Sequence, residues 1–96
     1  DFATLARLDF EAPRDEVFPA LRLAREAGIV CGTLPAVMNA ANEVAVEAFL
    51  NGGIPFPKIW GLVEEVMGQH SVVKSPSLEA LIEADTEARH MARACL

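Results

Sequence analysis

Hydrophobic and polar residues alternate one by one near the start of the chain. Between residues 5 and 12, apolar Leu8 and Phe10 are separated by charged side chains, a period of two that is typical of an extended segment with one buried face. The pattern ends at Pro13, and no later segment repeats it convincingly. A single strand cannot satisfy its own backbone hydrogen bonds. We therefore expect residues 1–17 to form an extended arm that either lies across the rest of the chain or pairs with a strand from elsewhere.

From residue 18 onward the apolar residues recur every three or four positions, as in amphipathic helices. Prolines at the starts, and glycine or asparagine at the ends, delimit four helices. The first runs from Phe18-Pro19 to Gly28, the second from Pro35 to Leu50, the third from Phe56-Pro57 to near Gly68, and the fourth from a Ser75 cap and Pro76. The sequence predicts an all-α fold, a small four-helix bundle over residues 18–96 with an extended N-terminal arm.

Three of these helices have an apolar stripe that would face the core. The predicted core residues are Val37, Met38, Ala41, Val44, Ala45, Ala48 and Phe49 in the second helix, Ile59, Trp60, Val63, Val66 and Met67 in the third, and Leu78, Leu81, Ile82, Ala88, Ala92 and Cys95 in the fourth.

Composition excludes several classes of protein. The chain has 8 basic and 14 acidic residues among 96, a formal net charge of -6 and no run of Lys or Arg, so nucleic acid is not an expected partner. The longest stretch without charge is shorter than the ~20 residues of a membrane-spanning helix. Two distant thiols, Cys31 and Cys95, indicate reduced cysteines and a cytoplasmic location. Because the chain opens on Asp1 instead of Met, we expect it to be processed or part of a longer protein.

The common catalytic motifs are missing from the sequence, which contains no G-x-G-x-x-G, P-loop, C-x-x-C or H-E-x-x-H. Neither His70 nor His90 has a second His or Cys at metal-ligand spacing, so both are expected to be ordinary, partly exposed histidines. Cys31 lacks a neighbouring base and is expected to fill one end of the bundle. We predict no catalytic, cofactor-binding or metal-binding residue in this segment.

The most informative polar residues are Asn39, Asn42 and Glu43, which share a face of the second helix opposite its apolar stripe. Asparagine is unfavourable inside a helix because its side chain competes for backbone hydrogen bonds. We expect these side chains to hydrogen-bond a loop, the arm or another domain. The alternative is that they are ligands for a metal or a polar substrate.

Asp85 lies in register with the predicted inner stripe of the fourth helix, and Arg89 follows four residues later. A buried carboxylate needs a partner, which would be Arg89 or the backbone N–H groups at a helix end. The other reading is a solvated ion pair at the edge of the bundle. The predicted structural polar cluster is therefore Asn39, Asn42, Glu43, Asp85 and Arg89.

Several short motifs occur together and in a characteristic order. They are Leu8-Asp-Phe-Glu-Ala-Pro13, Phe18-Pro19-x-Leu21, Asn39-Ala-Ala-Asn-Glu-Val-Ala-Val46 followed by Ala48-Phe49-Leu50, Ile54-x-Phe56-x-x-Ile59 and Asp85-x-x-Ala88-Arg89. In these motifs the chain resembles the C-terminal region of the 1-deoxy-D-xylulose 5-phosphate reductoisomerase family, over nearly its whole length.

The resemblance implies a longer parent enzyme that uses NADPH and a divalent metal, magnesium or manganese. Such an enzyme isomerises and reduces 1-deoxy-D-xylulose 5-phosphate to 2-C-methyl-D-erythritol 4-phosphate in the non-mevalonate isoprenoid pathway, typically as a homodimer. In the family the C-terminal helical domain is a structural support, reached by a linker from the domains that bind nucleotide, metal and substrate. None of the family's catalytic motifs matches a position here, so the segment alone is expected to be inactive.

Two other functions are compatible with the residues alone. One is a free-standing helical module that binds a protein through its Asn-rich face. The other is a small metal-dependent enzyme that uses Glu43 and Asp85, which only the presence of two carboxylates supports.

Overall fold

The structure is a computed structural model that describes residues 19–96. Four helices form this part of the chain. They are α1 (Pro19–Val30), α2 (Leu34–Leu50), α3 (Lys58–Gln69) and α4 (Leu78–Ala94). The described range contains no strand, so the predicted all-α bundle is confirmed. The predicted arm, residues 1–17, lies outside the described residues.

Helix α2 is the centre of the bundle and packs against all three other helices, most extensively against α4 and α3. Its buried face is rich in alanine: Ala40, Ala41 and Ala45 are completely inaccessible to solvent. Small side chains allow neighbouring helix backbones to approach closely, and the larger Val63 and Val66 of α3 fill the remaining core. Each fully buried valine contributes about 1.5–3 kcal/mol relative to an exposed one.

The end of α1 differs from the prediction. Gly28 was expected just past the helix, but α1 continues to Val30. The chain reverses at Cys31 and Gly32, which both have a left-handed backbone with φ of 58°, and the backbone N–H of Cys31 donates to the carbonyl of Ala27. Glycine is tolerated on an open helix surface, and a Cβ added at Gly28 would meet no atom within 4 Å. Gly28 therefore did not mark the helix end.

The start of α4 was also placed wrongly. Ser75 was predicted as the cap, with Pro76 in the first turn, but α4 begins at Leu78 and its cap is Ser77, whose hydroxyl accepts from the backbone N–H of Ala80 at 3.1 Å. Pro76 lies before the cap, and Ser75 has a left-handed φ of 53°. Both serines flank the proline, and only Ser77 has the extended backbone that a capping residue needs.

The predicted inner stripe of α4 is wrong at three of its members, because Leu78 and Ile82 are 72% and 55% exposed and Cys95 is also exposed, whereas the predicted Leu81 is half-buried. Helix α4 instead buries Ala84 together with the predicted Ala88 and Ala92. A close contact between α2 and α4 needs small side chains, whereas the prediction ranked positions by hydrophobicity. The other differences are smaller: Leu34, Ala40 and Leu62 are buried without having been predicted, whereas Met38, Ala48 and Trp60 are half-buried and Phe49 is exposed.

Candidate functional site

The largest polar cluster joins the middle of α2 to α4. Arg89 donates from Nε to Oδ1 of Asp85 at 2.6 Å and from Nη2 to Oε1 of Glu43 at 2.8 Å. Asn39 donates to the other carboxylate oxygen of Glu43 at 3.4 Å. Four of the five predicted polar residues are therefore connected, and we call Asn39, Glu43, Asp85 and Arg89 the arginine cluster.

The arginine cluster lies at the surface. The side chains of Asp85 and Glu43 are 36% and 54% exposed. The hydrogen bonds that Arg89 donates to Asp85 and, to a smaller extent, to Glu43 raise the pKa of its guanidinium above the usual value, so Arg89 stays a cation. These exposures agree with the second prediction for Asp85, a solvated ion pair with Arg89 at the edge of the bundle. Arg89 has Glu43, on another helix, as its second partner. Both carboxylates are engaged by one guanidinium, an arrangement that ties helices together and leaves neither carboxylate as an unpaired base.

Asn42 is the one predicted polar residue outside the arginine cluster. Its amide oxygen Oδ1 is buried, and no described residue donates a hydrogen bond to it. The predicted bond from Asn42 to a loop backbone is thus not present within residues 19–96, and a bond to the arm lies outside the described residues.

Two shallow depressions flank Asn42 along the surface of α2. One, of about 370 Å³, lies towards Val46 and Leu50, and the other, of about 340 Å³, lies towards Met38 and reaches Ala24 and Ala27 of α1. We call the two depressions together the α2 groove. Apolar side chains line much of it, but Glu43, Glu47 and Asn51 also border the first depression.

Sequence reasoning missed a second polar group, in which Thr33 joins the α1–α2 turn to the segment after α3. Thr33 is completely buried, its hydroxyl lies 2.7 Å from Nε2 of His70, and the backbone N–H of Val73 donates to that hydroxyl at 3.0 Å. The backbone N–H of Thr33 in turn donates to the carbonyl of Val73 at 3.1 Å. We call Gly32, Thr33, His70 and Val73 the clasp.

Gly32 allows the clasp to form. A Cβ at this position would collide with the backbone oxygen of Val73, and the φ of 58° is one that residues with a side chain rarely adopt. Thr33 and His70 are 37 residues apart in sequence, so no local sequence pattern predicts their contact. The prediction of an ordinary, partly exposed His70 missed this contact, although the residue is indeed half-buried.

The fold and its polar groups define a small helical bundle domain whose polar side chains connect its own elements. Comparison with known proteins gives its family: residues 1–91 match the family model described as the DXP reductoisomerase C-terminal domain. The chain therefore belongs to the family of 1-deoxy-D-xylulose 5-phosphate reductoisomerase C-terminal domains, as its motifs predicted.

Curated relatives and a solved structure agree with this assignment. The chain is 54% identical over 93 residues to a 1-deoxy-D-xylulose 5-phosphate reductoisomerase of Pseudomonas putida. The match covers 97% of this chain and 23% of the relative. It is 53% identical over 93 residues to the reductoisomerase of Symbiobacterium thermophilum, and this match covers 97% of the present chain and 24% of the relative. The reductoisomerase of Zymomonas mobilis, solved in complex with NADPH, matches with a TM-score of 0.81 and 47% identity over 99% of this chain and 25% of that one. The chain thus spans about a quarter of the length of these relatives.

Within residues 19–96, none of the helices has both the length and the apolar character that crossing a bilayer requires.

Proposed function

We propose that the chain is the non-catalytic support domain of an enzyme that converts 1-deoxy-D-xylulose 5-phosphate to 2-C-methyl-D-erythritol 4-phosphate in isoprenoid biosynthesis. The parent enzyme would use NADPH as reductant and a magnesium or manganese ion. The observation that carries the proposal is the 54% identity to a named reductoisomerase over 97% of this chain. A free-standing interaction module would not need such similarity to one part of an enzyme.

The described residues, 19–96, do not fit the cofactor. A dinucleotide is normally held by a glycine-rich turn whose backbone N–H groups point to the phosphates at a helix N-terminus. Here α2 has a proline in its first turn, α3 follows Pro57, and the first turn of α4 is capped by its own Ser77. None of these three helix starts follows a G-x-G-x-x-G turn, and the net charge of -6 further disfavours a phosphate ligand.

A divalent metal does not fit the described residues either. No group of three His, Cys, Asp or Glu side chains within residues 19–96 is arranged to hold an ion. The nearest candidates, Glu43 and Asp85, are bonded to Arg89, and a neighbouring cation disfavours a metal at the same oxygens. The proposal therefore assigns NADPH, metal and substrate to the remaining three quarters of the parent, and the intact enzyme would be a cytoplasmic homodimer.

The division within this chain follows the predicted boundaries. Residues 1–17 would be the linker from the preceding domains, and residues 18–96 the bundle. The bundle is suited to support because its core and its two polar groups connect its elements to each other. It would present a fixed surface on which the catalytic domains dock.

Calorimetric titration of the 96-residue chain with NADPH tests the inactive role. We expect no saturable heat at micromolar cofactor and no NADPH consumption when substrate and magnesium or manganese are added. Saturable binding would contradict the proposal.

A chimaera tests the support role. In the Pseudomonas putida enzyme, the matching region is replaced by this chain, and a truncated enzyme without that region is the control. We expect the chimaera to turn over within about tenfold of the parent, since 54% identity preserves most contacts, and the truncated enzyme to lose activity or solubility. An inactive chimaera, or a fully active truncated enzyme, would show that the assignment is wrong.

A further inference from the structure

The clasp contains a completely buried hydroxyl group whose proton has a single acceptor. The Thr33 hydroxyl accepts from the backbone N–H of Val73 at 3.0 Å and lies 2.7 Å from Nε2 of His70. Thr33 is inaccessible to solvent, and no other described residue bonds its hydroxyl. A hydroxyl has one proton to donate, so the Thr33 proton points to Nε2. The His70 ring in the clasp is therefore neutral, with its own proton on Nδ1.

Protonation of His70 would reverse the direction of this bond. Both nitrogens of a charged imidazole ring are donors, so Nε2 would then donate to the Thr33 oxygen. That oxygen has a second lone pair for the new bond, but the Thr33 proton would lose its acceptor at a place that water does not reach. A buried donor without a partner is destabilising. The closed clasp is therefore disfavoured when His70 carries a charge.

The segment between α3 and α4 depends on the clasp for its attachment to the bundle. Within residues 71–76, all of which the structure describes, only Val73 makes backbone hydrogen bonds, and both of them join it to Thr33. The half-buried Val72 adds an apolar contact with the core. We call residues 71–76 the strap. Because so few hydrogen bonds hold it, the strap can open without the unfolding of a helix.

Two unfavourable backbone conformations flank the clasp. Cys31, two residues before Thr33, has a φ of 58°, and Ser75, two residues after Val73, has a φ of 53°. Residues with a side chain keep such conformations only where the surrounding contacts hold them. Both can relax when the bonds between Thr33 and Val73 are lost, which further favours the open strap.

The charged groups around the clasp leave His70 as its switch. On the neighbouring elements the titratable or charged side chains nearest in sequence are Glu26 in α1, Cys31 in the turn, Glu65 in α3, Lys74 in the strap and Glu79 in α4. Helix α2 has no charged residue before Glu43. Glu65 is bonded to Gln69, and the Cys31 thiol donates to the carbonyl of Gly28. None of the charged residues described forms an ion pair with His70.

We propose that the clasp is a pH-sensitive latch. While His70 is neutral, its Nε2 accepts the Thr33 proton and the strap stays closed on the bundle. Protonation of His70 removes that acceptor and releases the strap. Histidine is the side chain that ordinarily changes charge between about pH 5 and 8, so the latch would respond to mild acid. The inference concerns the bundle alone and does not depend on the reaction of the parent enzyme.

Two NMR measurements on the 96-residue chain test the latch. Nitrogen-15 shifts of the His70 ring at neutral pH should show the proton on Nδ1. Amide hydrogen exchange, corrected for the intrinsic rate, should show that the protection of the Val73 and Thr33 amides falls about tenfold from about pH 7.5 to about pH 5.5. This factor is the one expected when an ordinary imidazole gains its proton only in the open state.

Variants assign the effect to the bond between His70 and Thr33. In His70→Gln the side-chain oxygen can accept the Thr33 proton but does not titrate, so protection should change by less than about twofold between the two pH values. His90→Gln is the matched control, because His90 is the other histidine of the chain and lies exposed on α4. That variant should keep the full pH effect.

A second pair of variants applies if circular dichroism shows that His70→Gln is unfolded. Thr33→Val removes the proton that His70 accepts, so the pH effect on the amide of residue 33 should fall below about twofold. Thr33→Ser keeps a hydroxyl and should keep the effect.

The latch is overturned if the His70 ring carries its proton on Nε2 at neutral pH. Protection that is equal at both pH values, or higher in acid, contradicts it as well. So does a pH effect that persists in His70→Gln or disappears in His90→Gln.

Discussion

The clasp and the arginine cluster both join parts of the chain that are distant in sequence, but they differ in their surroundings. The clasp is built on a completely buried Thr33, which makes two hydrogen bonds with the backbone of Val73, one through its own backbone N–H and one through its hydroxyl. The arginine cluster contains three formal charges, yet its two carboxylate side chains are 36% and 54% exposed to water. Exposed ion pairs contribute little, whereas a buried polar group that loses its partner is costly. In this bundle, burial and backbone geometry, more than charge, decide which polar group is stabilising.

Gly32→Ala should break the clasp and have the largest effect. The new Cβ would collide with the Val73 carbonyl at a left-handed φ, so we expect the free energy of unfolding to fall by about 2–4 kcal/mol. Urea denaturation followed by circular dichroism measures the change. Gly28→Ala, in an open position of α1, is the control and should stabilise by about 0.5–1 kcal/mol. Equal effects of the two substitutions would refute the role given to Gly32.

Thr33→Val should have the second largest effect, because it keeps the shape of the side chain and removes the hydroxyl on which the clasp depends. The Val73 N–H and the His70 ring nitrogen would then lack their partner, at a cost of about 1–3 kcal/mol of unfolding free energy. The same denaturation experiment applies. The control Thr86→Val, at an exposed position of α4, should stay within about 0.5 kcal/mol. If Thr33→Val also falls within that range, the clasp is not a stabilising group.

Arg89→Gln should have the smallest effect, although it removes both ion pairs of the arginine cluster. We expect a loss of about 0.5–1 kcal/mol at low salt, because Glu43 is exposed and the half-buried Asp85 also lies at the surface. The loss should shrink at 1 M salt, where the screening length is about 3 Å. Exposed Arg25→Gln serves as a control with no salt-dependent change. A loss above that of Thr33→Val would invert the ranking of the two groups.

Much of the fold could be predicted because helix periods and breaks are local properties of the sequence. Pro35, Leu50 and the Asn51-Gly52-Gly53 end were placed within a residue of the bounds of α2. Hydrophobicity alone could not place the inner face of α4, since its contact with α2 is set by the small size of alanine. The true cap Ser77 and the rejected Ser75 are separated by a single proline, and only backbone geometry distinguishes them.

The polar contacts also divide into local ones, which the sequence predicts, and long-range ones, which it does not. The bond from Arg89 to Asp85 follows from a spacing of four residues on one helix, and the sequence proposed it. The bond from Arg89 to Glu43 spans 46 residues, and the clasp spans 37, so both depend on how the helices pack. The contacts of Thr33 were harder to predict for a second reason. A threonine at the start of a helix is usually a cap, but the Thr33 side chain makes no capping bond with α2.

Trp60 has a practical consequence for anyone who studies this chain. It is the only tryptophan, and the sequence contains no tyrosine. Its indole is half-buried and packed against the hydrophobic core from helix α3. Ultraviolet emission of the unlabelled chain therefore comes almost entirely from one ring, whose colour and intensity respond to water entering the core. Stopped-flow mixing could follow the opening of the bundle at α3 in real time without any added dye.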